Sequence, residues 1–147
     1  MPDKHVQPTA APMLRTAAAG IVATTVANAV VGLLLRKAFD ISTEFRGLMP
    51  QAIISVTVLA LVAGVGLLTL LRRRSVGAER LFSIVATALA LVSCAAPLAL
   101  LAGNASSTPG WSRAAALSLL PLHLIPLAGA LAIQRKTSAA PRSLVPA

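Results

Sequence analysis

Three polar side chains, Asn28, Ser93 and His123, lie inside long apolar stretches of the sequence. In a membrane interior a polar group without a hydrogen-bond partner costs several kcal/mol, so such residues are expected to find partners. Their positions along these stretches place them near one depth, and we expect them to form a polar site at the membrane midplane. Two interpretations stay open. In the first, these side chains join helices by hydrogen bonds. In the second, they form a functional site, because ionisable residues inside a membrane are often functional.

Prolines surround the histidine in the segment LPLHLIP. Pro121 and Pro126 each lack a backbone N–H, and Pro126 therefore leaves the carbonyl of Leu122 without its helical partner. We expect the helix to be kinked or broken beside His123, and Pro97 to kink the preceding helix. Transporters build midplane ion or substrate sites from broken helices, whereas an ordinary proline kink is the alternative.

Four apolar runs without a charged residue carry these side chains, at 17–35, 52–71, 81–102 and 114–133. About 20 helical residues, at about 1.5 Å each, span the roughly 30 Å hydrocarbon core of a bilayer. The runs predict an all-α integral membrane protein: a four-helix bundle with antiparallel up-down connections and both termini on the same side. The segments 1–16 and 134–147 are expected to be flexible tails.

Small residues recur at four-residue intervals within three of the runs. Four residues correspond to about 400° of helix, so such a series stays on one side and lets a neighbouring backbone come close. We therefore expect packing surfaces on the first three helices. The series are Gly20, Thr24, Asn28 and Gly32, then Ala60 and Gly64, then Ala86, Ala90 and Cys94.

Basic residues cluster at the ends of the runs and give the chain its net charge of +9. With the N-terminus in the cytoplasm, nine of the 13 Lys and Arg residues lie on that side and four lie outside. Cytoplasmic loops carry the excess of basic residues, which predicts a plasma-membrane protein with both termini cytoplasmic. Aromatic residues make up only 3% of the chain, so we expect no nucleic-acid partner.

The connection 36–51 mixes apolar with charged residues, among them Phe39 and Phe45. It could lie along the membrane interface as an amphipathic segment, or form a loop whose Phe rings enter the headgroup region. Both interpretations stay open.

Several kinds of chemistry have little support. The four runs contain no Asp or Glu, which disfavours proton-coupled export through a buried carboxylate. The single cysteine, Cys94, cannot form an intrachain disulfide or a paired-cysteine redox site. A bis-histidine haem would need a second intramembrane His, which only a dimer could supply. We expect no catalytic residues, cofactor or metal, and hence no enzymatic activity.

Two short motifs, SCAAP at residues 93–97 and LHLI at residues 122–125, resemble an uncharacterised family of small actinobacterial four-helix membrane proteins. The resemblance covers roughly residues 15–135. It implies a four-helix membrane fold and a bacterial source. The family has no known function, so the resemblance implies no activity.

Three hypotheses for function follow. The first is a non-enzymatic helix-bundle interaction or structural subunit that binds the lipid bilayer and a second copy of itself or another membrane protein. The second is a small permease or carrier with a polar midplane site around His123. The third is a dimeric haem or quinone protein.

Overall fold

The computed structural model describes residues 10–102 and 108–138, and every element in these ranges is a helix. Helices long and apolar enough to cross a membrane number four within these residues, which confirms the predicted all-α four-helix bundle. The third of them is divided at Cys94 into two helices. The α-helices are α1 (Ala10–Ala38), α2 (Pro50–Arg74), α3 (Ala78–Ser93), α4 (Ala95–Leu101) and α5 (Arg113–Ser138), with a 3-10 helix at Arg46–Leu48.

The helices extend beyond the apolar runs that predicted them. Residues 10–16 continue α1, and residues 134–138 continue α5, so the flexible tails predicted there are helical over these parts. Hydropathy marks the part of a helix that lies in lipid, whereas the backbone hydrogen-bond ladder continues into polar sequence. The other parts of the two predicted tails, 1–9 and 139–147, lie outside the described residues.

Helix α1 runs antiparallel to both α2 and α5, as the cross-contacts show. Asn28 and Gly32 of α1 face Thr57 and Ile53 of α2, so the contacts move in opposite directions along the two helices. Gly20 and Gly32 likewise face Ile133 and Leu122 of α5. Helix α5 is central because it contacts α1, α2, α3 and α4. Helix α1 packs against α2 and α5 on one side, while α3 and α4 pack on the other and do not contact α1 within the described residues.

The connection 39–49 closes one end of the bundle. Phe45 and Leu48 are buried and pack with residues of α2 and α5, whereas Phe39 is exposed. Gly110 has a φ of 68° and lies directly against the backbone of Phe45, so a side chain there would meet both strain and overlap. The connection therefore caps the bundle, and we call this end the capped end. Of its two Phe rings, only that of Phe39 remains free to enter the headgroups.

The opposite end, which we call the arginine-rich end, is joined by a polar network. Arg72 of α2 contacts the carboxylate of Glu79 in α3 at 3.4 Å and donates a hydrogen bond to the Ser138 hydroxyl of α5 at 2.7 Å. Gln134 is buried and donates to the Glu79 carbonyl at 2.9 Å. Its side-chain oxygen accepts from Ser83 at 3.1 Å. The network fixes α5 against the α2–α3 hairpin.

Candidate functional site

A cavity of about 860 Å³ lies among α2, α3, α4 and α5. Its wall is almost entirely apolar, and four polar side chains interrupt it: Asn28, Thr57, Ser93 and His123. No charged side chain of the described residues belongs to this wall.

Small side chains and a break in the third membrane helix create this space. The backbone N–H that Pro97 lacks would have bonded the carbonyl of Ser93, and the helix changes from α3 to α4 at Cys94 between them. Beyond this break α4 contacts α5 but not α2, whereas α3 contacts both. Small residues form about a third of the wall and lie on both sides of it: Ala52, Ala60, Ala63, Gly64, Ala86, Ala90, Ala96 and Ala130.

Gly64 and Ala60 line this cavity rather than a closely packed helix interface. A Cβ atom added at Gly64 would meet only the Phe82 ring, at an ordinary contact distance of 3.9 Å. At Gly20 and Gly32 of α1 an added Cβ would instead overlap Ile133 and Ile53. Close packing, which we expected at all of these positions, is therefore found on α1 and is looser at Gly64.

Asn28 joins three helices at the middle of the bundle. Its side chain is 2% exposed, and Nδ2 donates to Thr57 Oγ1 of α2 at 2.7 Å and to the Leu122 carbonyl of α5 at 3.2 Å. The Leu122 carbonyl is the one that Pro126 deprives of its helical partner. Asn28 therefore supplies the missing donor. Its own Oδ1 is buried and has no partner among the described residues.

His123 forms its hydrogen bond within its own helix. Nδ1 lies 2.7 Å from the carbonyl oxygen of Leu119. A carbonyl oxygen only accepts, so Nδ1 carries the proton and donates it. Nε2, on the other side of the ring, has no hydrogen-bond partner among the described residues, and it is not one of the fully buried unpaired atoms.

Ser93 also bonds within its own helix, because its hydroxyl donates to the Ala90 carbonyl at 2.7 Å. The structure thus places Asn28, Ser93 and His123 in one cavity wall, but no hydrogen bond joins any two of them within the described residues. Asn28 pairs instead with Thr57, a residue that sequence reasoning missed. A threonine in an apolar helix commonly bonds its own backbone, so its type gave no signal.

The three prolines have different effects on the helices. Pro97 lies in the first turn of α4, directly after the break at Cys94. Pro121 and Pro126 lie inside α5, which continues through both as one helix. Helix α5 is therefore not broken, and of the two alternatives only a kink beside His123 stays a prediction.

Sequence reasoning also missed a close contact between α1 and α5 at a glycine. Gly129 of α5 lies against Thr24 of α1, and an added Cβ would overlap the Thr24 side chain. Gly129 is the single glycine of the fourth apolar run, which is the signal that could have identified it. Among the described residues, no group of three His, Cys, Asp or Glu side chains could hold a metal ion.

Comparison with known proteins gives one match. A family model described as "Family of unknown function (DUF6069)" matches residues 8–140. No curated protein and no solved structure matches the chain. The match covers the whole segment over which the motifs resemble a family of four-helix membrane proteins, while the actinobacterial source stays a prediction.

Proposed function

Since the chain belongs to the DUF6069 family, whose function is unknown, we propose a function from the geometry of its cavity. The protein is a non-enzymatic, multi-pass membrane protein that binds a lipid-soluble small molecule between α2, α3, α4 and α5. This develops the hypothesis of a polar midplane site around His123.

One observation carries the proposal: an apolar cavity between the helices with a few polar groups in its wall. Its volume of about 860 Å³ lies within the roughly 300–1,000 Å³ of small-molecule sites. Such sites combine a mainly apolar wall with a small number of placed polar groups, and Ser93 and His123 fit that description here. The absence of charge from the described wall favours a neutral occupant, because an unpaired charge in an apolar site is costly.

The plasma membrane is the proposed location, with the arginine-rich end in the cytoplasm. Arg72, Arg73 and Arg74 end α2 at this end, and Arg135 and Lys136 lie in the last turn of α5. The capped end carries fewer basic residues, Arg36, Lys37, Arg46 and Arg113. An excess of basic residues on one side supports a cytoplasmic position for that side.

Single cysteines at the two ends test this orientation. Ser75 and Ser42 are exposed in the loops at the arginine-rich and capped ends, and both can be replaced by Cys in a Cys94→Ala background. In intact cells a membrane-impermeant maleimide should label Ser42→Cys and leave Ser75→Cys unlabelled, whereas both should react after lysis. Labelling of Ser75→Cys alone in intact cells would reverse the proposed orientation.

A matched pair of glycine substitutions tests the cavity. Gly64 lies in its wall, whereas an atom added at Gly66 on the same helix meets nothing within 4 Å. Gly64→Leu should lower the affinity for the bound small molecule about fivefold or more, because the Leu side chain enters the cavity and overlap with an occupant costs roughly 1–3 kcal/mol. Gly66→Leu should not change it. Native mass spectrometry of protein released from nanodiscs measures the bound fraction directly.

The same experiment separates small-molecule binding from the subunit hypothesis. Equal retention by Gly64→Leu and Gly66→Leu, or no bound molecule in the unmodified protein, contradicts the proposed site. Loss of a protein-sized partner in Gly64→Leu alone, with no small molecule bound at any stage, would support an interaction subunit in its place.

A further inference from the structure

The hydrogen-bonding state of His123 selects the chemistry of the molecule that the cavity can bind. Nδ1 donates to the Leu119 carbonyl at 2.7 Å, and the neutral ring then carries its only proton on that nitrogen. Nε2 is consequently a free acceptor.

A second wall residue presents the same hydrogen-bonding character. The Ser93 hydroxyl donates its hydrogen bond to the Ala90 carbonyl at 2.7 Å, so its oxygen keeps free lone pairs that can accept. The buried Asn28, also part of the wall, adds a third unpaired acceptor, Oδ1. Nδ2 of Asn28, the donor group of that amide, is already bonded to Thr57 and Leu122. The wall therefore offers acceptors at Ser93 and His123, and a complementary molecule must bring a donor.

We propose that the cavity binds a neutral, lipid-soluble alcohol or phenol whose hydroxyl donates a hydrogen bond to Nε2 of His123. The inference rests on the proposed function, because it names the class of molecule for the same site. A hydroxyl is favoured over an ammonium group because the described wall contains no carboxylate to pair with a cation. A ketone or an ether of the same shape brings only acceptors and would place lone pairs against lone pairs.

Nitrogen-15 NMR of the histidine ring tests the inference at the atom concerned. The chain has two histidines, so the variant His5→Gln, labelled with [¹⁵N]histidine in nanodiscs, reports His123 alone. The spectrum of the free protein should show a protonated Nδ1 and an unprotonated Nε2. A protonated Nε2 with an unprotonated Nδ1 would overturn the proposal.

The probes are 4-nonylphenol and its methyl ether 4-nonylanisole, which differ in the hydroxyl proton. The phenol should move the Nε2 resonance to lower frequency in a saturable manner and bind about five- to tenfold more tightly than the ether, as expected for one net hydrogen bond. The ether should bind without moving Nε2. In His123→Phe the two probes should bind equally. Should that variant fail to fold, the Nε2 resonance of the His5→Gln protein still decides.

The outcomes separate the two proposals. Equal binding of both probes with an unmoved Nε2 resonance would overturn the hydroxyl proposal and leave small-molecule binding supported. The proposed function fails if neither probe binds and Gly64→Leu retains the same fraction of bound small molecule as the unmodified protein. The hydroxyl proposal then fails with it.

Discussion

Replacing Asn28 with alanine is expected to lower the free energy of unfolding by about 2 kcal/mol. The side chain is 2% exposed and donates hydrogen bonds to Thr57 Oγ1 and to the Leu122 carbonyl. Hydrogen bonds between membrane helices average about 0.6 kcal/mol and reach about 1.7 kcal/mol. Here both acceptors are interior, and the Leu122 carbonyl has no helical alternative because Pro126 follows it. Two lost bonds and the space left by the truncated side chain together give the expected value.

The measurement is reversible unfolding of the purified protein in mixed micelles of mild detergent and dodecyl sulfate. Val26→Ala is the matched control, because Val26 is on the same helix and 57% exposed, and it should change stability by less than about 0.5 kcal/mol. Thr57→Val removes one of the two acceptors at nearly constant shape. A double-mutant cycle with Asn28→Ala should give a coupling energy of about 0.5–1.5 kcal/mol. A stability of Asn28→Ala equal to that of Val26→Ala would show that the amide does not join the helices.

The architecture follows from the sequence because a membrane leaves few alternatives. An apolar run of about 20 residues must form a helix, since lipid offers no other partner for its backbone. The four runs therefore predicted the four membrane-crossing helices. The residues at which the helices begin and end were harder to predict from the sequence. Hydropathy stops at the edge of the lipid, but Ala10 already begins α1 and Ser138 ends α5 in polar sequence.

The partners of the candidate residues could be predicted only in part. Proline chemistry identified the free carbonyl of Leu122, and polarity identified Asn28, but nothing in the sequence joined the two. Depth along a helix is readable from residue number, whereas the direction in which a side chain points depends on the rotation of each helix in the bundle. Ser93 and His123 consequently share one cavity wall and yet bond only their own helices.

Gly20 and Gly64 show why a small-residue pattern alone does not determine packing. Both glycines belong to series with four-residue spacing, but Gly20 lies against Ile133 and Gly64 borders the cavity. The difference lies in the partner helices: α5 lies directly against α1 at Gly20, whereas a Cβ atom at Gly64 would reach only the Phe82 ring of α3, at 3.9 Å. How closely two helices approach each other is a property of the whole bundle. For this reason the cavity itself was not predictable.

Gly129→Ala is expected to destabilise the bundle by about 1–3 kcal/mol, and Gly129→Leu to prevent accumulation of folded protein. A Cβ atom at this position overlaps the side chain of Thr24, and overpacking of a close interface typically costs this much. The contact lies between α1 and α5, whose association depends on close packing because lipid supplies no hydrophobic drive between them. Gly66→Ala is the matched control, since an added atom there meets nothing within 4 Å and should be neutral or slightly stabilising.

In the Thr24→Gly background, the effect of Gly129→Ala on the free energy of unfolding is expected to change sign. Thr24→Gly alone should cost about 1 kcal/mol or more, because it introduces a flexible residue into α1 and removes the group that fills the space beside Gly129. In that background the overlap is gone, so Gly129→Ala should become neutral or stabilise by about 0.5–1 kcal/mol through its better helix propensity. The same substitution is thus destabilising with Thr24 present and favourable without it. If Gly129→Ala costs the same in both backgrounds, the loss arises within α5 and not from its contact with α1.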